Sequence, residues 1–390
     1  MTPILATRRH VLGAAAGLAA WAVAPRLALA RAGTEQRFVF IIQRGAADGL
    51  NTVVPYADPA YARLRGALAI DAAEALRLDG TFALHPALTE TAQLYANGQA
   101  LFVHAVASPY RDRSHFDGQN VLETGGAEPY RSKDGWLNRL AGLLPRPQPE
   151  ALALAPTLPL ALRGPVAATS YAPSGLRQPP DDLLARVEQL YADDAQLHAL
   201  WSRAMDTQAM AGAGTPRQDA ASRPRLAASF LVRTDGPRIA MIETGGWDTH
   251  TGQLGRMSTQ LRNLDQLIGA LRDGLGPDAW RRTTVLVATE FGRTAAANGT
   301  GGTDHGTGSV AWLLGGAVQG GRVLGDWPGL ASADLYEGRD LRATSSLDGL
   351  IATAAGQCFG LEPEHVRRTL FPAVAAPQSA LWQQTLVRQG

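Results

Sequence analysis

The sequence has one cysteine, one lysine and no excess of charge of either sign. The single cysteine, Cys358, excludes an intramolecular disulfide and a cysteine-based zinc site, and its apolar neighbours indicate a buried structural thiol. The 36 basic and 35 acidic residues nearly cancel, so no general attraction to nucleic acid is expected. The Gly-x-Gly-x-x-Gly fingerprint of dinucleotide-binding redox enzymes is also absent.

Composition and length bound the fold before any motif is considered. Hydrophobic residues make up 45% and charged residues 18% of the 390 positions, which is typical of a globular protein. Length alone gives a prior of roughly two to three domains. One large α/β domain with an insertion fits the same length equally well.

Residues 1–31 are predicted to be a twin-arginine (Tat) signal peptide. Arg8 and Arg9 precede an apolar stretch at about 11–24, which is shorter than the roughly 20 apolar residues of a membrane span. Residues 28–30 (Ala-Leu-Ala) resemble a signal-peptidase site. We therefore predict the Tat machinery as an export partner, a periplasmic or secreted location and no transmembrane span in the mature chain. An uncleaved N-terminal anchor is the alternative.

Five short apolar runs are bounded by Gly, Pro or polar residues, as buried strands are. They are residues 38–42, 101–106, 239–242, 284–288 and 310–314. Their continuous apolar character is typical of a largely parallel sheet that is buried on both faces. Helical patterns lie between them, including the stripe Leu254, Met257, Leu261, Leu264, Ile268 and Leu271. The sequence therefore predicts an α/β fold with a doubly wound sheet sandwiched by helices.

The mature chain, residues 32–385, is predicted to be a single α/β domain. The stretch at about 143–225 differs from the rest because it contains proline-rich segments at 145–149 and 178–180. A helical pattern follows from Asp181 to about Met210, with Leu190 on its apolar face. We interpret this stretch as an insertion or cap that lies over the sheet.

Polar residues recur just beyond the predicted strands, where ligands of open α/β sheets bind. The segments concerned are residues 43–52, 108–117, 243–250, 289–293 and the Gly-rich loop 301–306. Three of the eight histidines lie in them, namely His115, His250 and His305. Carboxylates and imidazoles together suit a divalent ion such as Zn²⁺, Mn²⁺ or Mg²⁺. The sequence therefore predicts a metal site at this edge of the sheet.

Several of these residues also fit simpler structural roles. Asp248 and Ser114 are both favoured residues for capping a helix N-terminus. Asp48 fits turn chemistry alone. Arg44 and Arg293 could form surface ion pairs.

Together these segments resemble the exported family named domain of unknown function 1501, a member of the alkaline phosphatase-like superfamily. The matching segments are the twin-arginine leader and residues 44–52, 113–117, 245–250, 290–294, 302–306 and 325–330. The resemblance implies an alkaline phosphatase-like fold with one or two metals at the strand ends. That superfamily includes phosphatases, sulfatases, phosphodiesterases and phosphomutases, in which a Ser, Thr or modified Cys attacks phosphorus or sulfur.

The resemblance also implies roles for individual residues. The predicted metal ligands are Asp48, Asp248, His250, Glu290, Asp304 and His305. The predicted catalytic residues are Ser114, His115, Arg113 and Arg293. Ser114 would be the nucleophile, with Thr52 as a weaker rival, and Arg113 or Arg293 would bind nonbridging oxygens of the substrate.

One departure from the superfamily pattern bears on the number of metals. Where the superfamily has Ser-Asp-His-Gly, this chain has Thr-Glu-Phe-Gly at 289–292, so Phe291 replaces a ligand histidine. The spacing between Asp248 and His250 is also shorter than the usual one. His115 could compensate, or residues 304–305 could be the displaced motif. Otherwise the second metal site is incomplete.

These expectations combine into an exported hydrolase of phosphate or sulfate esters. It would use a divalent metal (Zn²⁺, Mn²⁺, Mg²⁺ or Ca²⁺) and a serine nucleophile, and its substrate would be a small anionic ester. The resemblance suggests a second exported protein, encoded nearby, as a partner. The alternative is a non-catalytic, exported, metal-containing binding or assembly protein of the same fold.

Overall fold

The computed structural model describes residues 34–145, 151–172, 181–211, 222–374 and 380–388. The predicted signal peptide and most of both proline-rich segments lie outside the described residues. The strands are β1 (Arg37–Gln43), β2 (Val53–Val54), β3 (Leu76–Arg77), β4 (Ala83–Leu84), β5 (Ala100–Ala107), β6 (Ala151–Leu154), β7 (Ala168–Ser170), β8 (Ile239–Thr244), β9 (Thr283–Thr289), β10 (Ser309–Leu314), β11 (Arg322–Leu324) and β12 (Ser345–Ser346). The α-helices are α1 (Gly49–Thr52), α2 (Tyr61–Arg65), α3 (Thr89–Ala96), α4 (His115–Thr124), α5 (Trp136–Leu143), α6 (Asp181–Tyr191), α7 (Ala195–Ala211), α8 (Ser222–Leu231), α9 (Gln253–Trp280), α10 (Leu347–Phe359) and α11 (Pro363–Leu370).

Nine strands form one central sheet in the order β11-β5-β10-β9-β1-β8-β6-β7, with β12 also paired to β5. Strand β1 lies inside the sheet and runs parallel to both β8 and β9. Among these strands, only β10 is antiparallel to its neighbours, β5 and β9. The predicted largely parallel sheet and its five predicted strands are confirmed.

The direction of β10 decides which loops share an edge of the sheet. Because β10 is antiparallel to both β5 and β9, those two strands run in the same direction as each other. The carboxyl ends of β1, β5, β8 and β9 therefore lie at one edge. The amino end of β10 lies at the same edge, so the loop 301–306 returns to it.

Helices cover both faces of the sheet, as a doubly wound fold requires. Phe38 and Phe40 of β1 pack on one face, in a core cluster with Trp136 of α5 and residues of α10 and α11. Val39 and Ile41 pack on the other face, in a cluster with residues of α3, α8 and α9. This alternation is the period of two of a strand that is buried on both sides.

Helix α9 contains most of the apolar stripe that the sequence predicts. Met257, Leu261, Leu264, Ile268 and Leu271 are buried. Leu254 is 48% exposed, so the stripe begins at Met257 and not at Leu254. The helix is interrupted near its end, where Gly276 has a φ of 69° and precedes Pro277.

The region 143–225 differs from the predicted cap in two respects. Strands β6 and β7 join the central sheet, because β6 pairs in parallel with β8 and with β7. The predicted single helix is two helices, α6 and α7, and Leu190 on its predicted apolar face is 77% exposed. Four residues of β6 between proline-rich segments are too short a pattern to be recognised as a strand from sequence.

None of the helices in the described ranges combines the length and hydropathy that a membrane span needs. Cys358 is buried, and burial raises the pKa of its thiol to about 12. The interpretation of Cys358 as a structural residue is therefore consistent with its surroundings.

The difference between Leu254 and Leu261 generates a stability prediction. Leu261→Ala removes a fully buried side chain from the core and should lower the free energy of unfolding by about 2–5 kcal/mol. The matched change Leu254→Ala should alter it by less than about 0.5 kcal/mol. Urea unfolding followed by circular dichroism checks both values. Equal losses in the two variants would contradict the packing of α9 described above.

Candidate metal centre

Four side chains at the shared edge of the sheet approach one another closely. The Nε2 atom of His250 lies 2.9 Å from Oδ1 of Asp248 and 3.0 Å from Nε2 of His305. Nε2 of His305 lies 3.4 Å from Asp248 Oδ1, and Nε2 of His115 lies 3.5 Å from Asp248 Oδ2. Ligands placed tetrahedrally at 2.0–2.1 Å from one Zn²⁺ stand about 3.3 Å apart. His115, Asp248 and His305 therefore form a group whose ligand atoms all lie within 4.8 Å of one another, and His250 adjoins this group at Asp248 and His305.

His115 is the first residue of α4, and its ring is held by Glu290. Its Nδ1 lies 2.9 Å from Oε1 of Glu290 and donates to that carboxylate. This hydrogen bond, more than any other contact, raises the pKa of His115. Nε2 of the same ring is buried and has no hydrogen-bond partner within the described residues. A metal ion is the partner that such an orphaned, ligand-type nitrogen lacks.

The rings of His250 and His305 are fixed in the same way. Nδ1 of His250 lies 3.2 Å from Asp304 Oδ1, and Nδ1 of His305 lies 2.9 Å from the carbonyl oxygen of Arg113. Arg113 has a φ of 62°, a strained value that directs its carbonyl group to this position. A carboxylate and a carbonyl only accept, so a ring that donates to them from Nδ1 has Nε2 left for a metal ion. The Nε2 atoms of His250 and His305 lie 3.0 Å apart, next to the carboxylate of Asp248.

Two residues predicted as metal ligands, Glu290 and Asp304, contact Nδ1 of candidate histidines. Glu290 is buried, and its Oε1 accepts from His115, from Gln119 and from the backbone N–H of Gly45. Burial raises the pKa of Glu290, but these hydrogen bonds outweigh burial and the net shift is downward. Asp304 accepts from His250, and a hydrogen bond from Asn298 is the main cause of its lowered pKa. The carboxylate–histidine pairs orient imidazoles in the manner typical of metal sites.

Asp48, also predicted as a ligand, is not brought to this cluster. Its two carboxylate oxygens accept from both terminal nitrogens of Arg65, at 2.6 and 2.8 Å, and from Nε2 of Gln253. Oδ1 also accepts from the backbone N–H groups of Leu50 and Asn51, so Asp48 caps α1. Both carboxylate oxygens of Asp48 are therefore engaged by groups of the protein. This agrees with the structural role, turn chemistry alone, that the sequence left open for Asp48.

The two arginines predicted to bind substrate have their guanidinium groups engaged by the protein. Arg113 bonds Asp340 and Glu337. Arg293 is buried and donates to the carbonyl groups of Gly45, Ala46, Trp247 and Thr303 and to Asp248. Burial raises the pKa of Asp248. The hydrogen bond from Arg293 and nearby positive charge have the larger, opposite effect, so the net shift is downward and the carboxylate stays ionised. Arg293 therefore orients a candidate ligand, and both guanidinium groups already bond acceptors of the protein.

Phe291 lies behind the imidazoles. Its ring stacks on His115, with centroids 5.1 Å apart and planes at 24°, and lies 5.4 Å from the ring of His305. In the part of the chain that the structure describes, one group of three or more close metal-ligating residues is found, and it contains His115, Asp248 and His305. These three side chains could hold one metal ion.

Ser114 precedes α4, but its side chain does not cap the helix. Its backbone N–H donates to the hydroxyl of Tyr110 at 3.0 Å, and the two side-chain hydroxyls also interact. The rival nucleophile Thr52 is buried and donates to the carbonyl of Asp48. Of the two hydroxyls, Ser114 is the one adjacent to the histidine cluster along the chain.

Sequence reasoning missed two glutamines that organise this site. Gln119 lies one helical turn after His115 on α4, a spacing that places both side chains on one face. That i, i+4 relation was a detectable signal. Gln253 is the first residue of α9 and contacts Asp48, Thr249 and Thr303. Thr249 lies only four residues before it, but the contacts with Asp48 and Thr303 join segments that are far apart along the chain.

Comparisons with known proteins place the chain in a family. No curated protein matches it. Among solved structures it is similar to Ps i-CgsB in complex with k-i-k-neocarrahexaose, at 11% identity and a TM-score of 0.45, covering 87% of this chain and 76% of that one. It is also similar to the phosphonate monoester hydrolase of Agrobacterium radiobacter (9% identity, TM-score 0.34, covering 74% and 70%). A third is the PsFucS1 sulfatase from Pseudoalteromonas sp. (12% identity, TM-score 0.37, covering 84% and 68%).

All three structural similarities are distant. The family resemblance seen in the sequence motifs is confirmed by the family model described as "Protein of unknown function (DUF1501)", which matches residues 35–370. That match spans most of the chain, and the protein therefore belongs to the DUF1501 family.

Proposed function

We propose that this protein is an exported, metal-dependent hydrolase of phosphate or sulfate esters. The observation that carries the proposal is the set of three imidazoles, each with Nδ1 engaged, arranged around the carboxylate of Asp248. Export and a periplasmic or secreted location rest on the twin-arginine leader in the sequence.

The ligand set would be His115, Asp248 and His305, with His250 beside them as the candidate fourth ligand. Imidazole nitrogens with one carboxylate suit a borderline ion such as Zn²⁺ or Mn²⁺ better than Mg²⁺ or Ca²⁺, which prefer oxygen ligands. A divalent ion bound there would act as a Lewis acid that stabilises negative charge on the transferring group. The side chains of Asp248 and His250 are 45% and 41% exposed, so one side of the centre is open to solvent and to a substrate.

Ser114 would supply the nucleophile in a two-step reaction. Its Oγ forms a bond to phosphorus or sulfur as the ester bond to the alcohol breaks, and the serine proton leaves with the alcohol. Water then cleaves the seryl ester and restores the hydroxyl. Because Ser114 does not cap α4, the first amides of that helix face an anionic group without a competing side chain.

Positive charge for binding an anionic ester would come chiefly from the metal in this scheme. Arg113 and Arg293 are both engaged with acidic groups or carbonyls. Their contribution is to position the carbonyl that holds His305 and the carboxylate of Asp248.

One observation favours the second candidate, a non-catalytic metal-containing protein. With His250 as a fourth ligand, protein side chains alone would complete a tetrahedral set, as in structural zinc sites. Structural sites are closed to solvent, whereas two ligands here are nearly half exposed. Metal binding without turnover of any phosphate or sulfate ester would favour this second function.

The contact between Glu290 and His115 generates a prediction about metal affinity. Glu290→Gln should weaken binding of Zn²⁺ by roughly 10- to 100-fold while the stoichiometry stays at one ion per chain, because the residue orients a ligand without being one. Asp248→Ala should remove the bound ion. Titration calorimetry and metal analysis of the purified protein measure both.

Glu123→Gln is the matched control for Glu290→Gln, since Glu123 is a buried carboxylate that contacts Arg44 and the backbone of Ala161. This control should bind Zn²⁺ as the unmodified protein does. Loss of stoichiometric binding in Glu290→Gln would make Glu290 a ligand and contradict our assignment.

The assignment of Ser114 generates a prediction about turnover. Ser114→Ala should lower kcat on p-nitrophenyl phosphate or p-nitrophenyl sulfate by at least about 10³-fold, because the attacking atom is lost, with metal affinity unchanged. Thr52→Val is the control, and it should retain turnover. Equal kcat in Ser114→Ala and the unmodified protein would rule out Ser114 as the nucleophile.

A further inference from the structure

The geometry points to Gln253 as a positioning residue that sets the distance between the two loops carrying Asp248, His250 and His305. This inference rests on the proposed metal centre, but it concerns the scaffold behind that centre. Gln253 is fully buried and touches none of the four candidate ligands through the hydrogen bonds of its side chain.

One carboxamide joins both ligand-bearing loops. Its Oε1 accepts from the hydroxyl of Thr249 at 3.0 Å and from the hydroxyl of Thr303 at 2.6 Å. Thr249 lies between the candidate ligands Asp248 and His250, and Thr303 lies two residues before His305. The backbone adds to the connection, because Thr303 N–H donates to the carbonyl of Thr249. One amide oxygen therefore bonds a side chain from each of the two loops, in addition to the backbone bond and the bonds from Arg293.

The orientation of this carboxamide is imposed by Asp48. Nε2 of Gln253 donates to Asp48 Oδ2 at 2.5 Å, and a carboxylate can only accept. The amide oxygen must therefore face the opposite side, where both threonine hydroxyls lie. Asp48 is itself held by the two bonds from Arg65, and both side chains are 1% exposed or less. The buried ion pair thus orients the glutamine, and the glutamine orients the loops.

This chain of contacts explains why a buried aspartate and a buried arginine occur beside a metal centre without belonging to it. An isolated ion pair of this kind contributes little net stability. Here the Asp48–Arg65 pair orients the carboxamide of Gln253, which bonds two loops from distant parts of the sequence. Metal affinity depends on ligand separations to within about 0.2 Å, so a shift of either loop should be visible in metal binding.

The test removes the hydroxyl of Thr303 and keeps the shape of its side chain nearly unchanged. Thr303→Val should raise the Kd for Zn²⁺ and for Mn²⁺ at least about tenfold, and Thr303→Ser, which keeps the hydroxyl, should restore Kd to within about threefold of the unmodified protein. Thr91→Val is the matched control, since Thr91 is also fully buried and its hydroxyl bonds the side-chain oxygen of Asp265. Thr91→Val should lower the melting temperature to a similar extent as Thr303→Val and leave both Kd values unchanged.

A second readout does not depend on metal. Hydrogen–deuterium exchange of the metal-free protein should become faster in both segments, 245–250 and 301–306, for Thr303→Val and in neither segment for Thr91→Val. The inference would be overturned if Thr303→Val had the same Kd values and the same exchange rates as the unmodified protein. It would also be overturned if Thr91→Val raised Kd as much as Thr303→Val.

Failure of the proposed function is separable from failure of this inference. If the unmodified protein binds metal but hydrolyses no ester, only the hydrolase proposal falls, and the Kd comparison still decides the role of Gln253. If it binds no metal, the metal centre falls, and coupled exchange of the two segments decides whether Gln253 joins the loops.

Discussion

The edge of the sheet that carries the candidate centre depends on the buried guanidinium group of Arg293. Arg293 follows β9, and its N–H groups donate to carbonyl groups just after β1 and β8 and in the loop before β10. The carbonyl groups that accept from it are those of Gly45, Ala46, Trp247 and Thr303. Buried carbonyls without donors cost free energy, so these loops need this cation in order to converge. Since Arg293 also donates to Asp248, the group that joins the loops also orients a candidate ligand.

A second layer of contacts prepares the imidazoles. Each candidate histidine is held at Nδ1 by an acceptor that cannot donate, and each acceptor comes from a different segment of the chain. The tautomer and the ring plane are therefore set by the fold before any ion binds. A centre of this kind loses little conformational freedom on binding metal, which favours affinity.

The sequence predicted the parts of this structure that local patterns determine. The five strands were recognisable because each is a continuous apolar run between turn residues. The segments that follow those strands were expected to converge, and Asp248, His250 and His305 do lie together. β10 departs from the parallel pattern, yet its reversal is what returns His305 to the shared edge.

Distinguishing a ligand from a residue that orients a ligand was beyond the reach of local patterns. Asp48 and Glu290 have the residue type and the position of ligands. The carboxylate of Asp48 accepts hydrogen bonds from Arg65 and Gln253, and that of Glu290 accepts from His115 and Gln119. These donors lie outside the local sequence segment of either carboxylate. Tertiary contacts decide which carboxylate keeps an oxygen free to bind a metal. Those contacts cannot be predicted from local patterns in a single sequence.

Phe291 has a packing role that the sequence did not indicate. The family resemblance led us to expect a histidine at this position, and it left open whether His115 or residues 304–305 compensate or a second metal site is incomplete. In the structure its ring is buried, stacks on His115 and lies against His305. An apolar ring in that position fixes two imidazole planes and lowers the local dielectric behind them, which strengthens the hydrogen bond between His115 and Glu290. Phe291 therefore packs behind two of the candidate imidazoles and helps to fix their orientation.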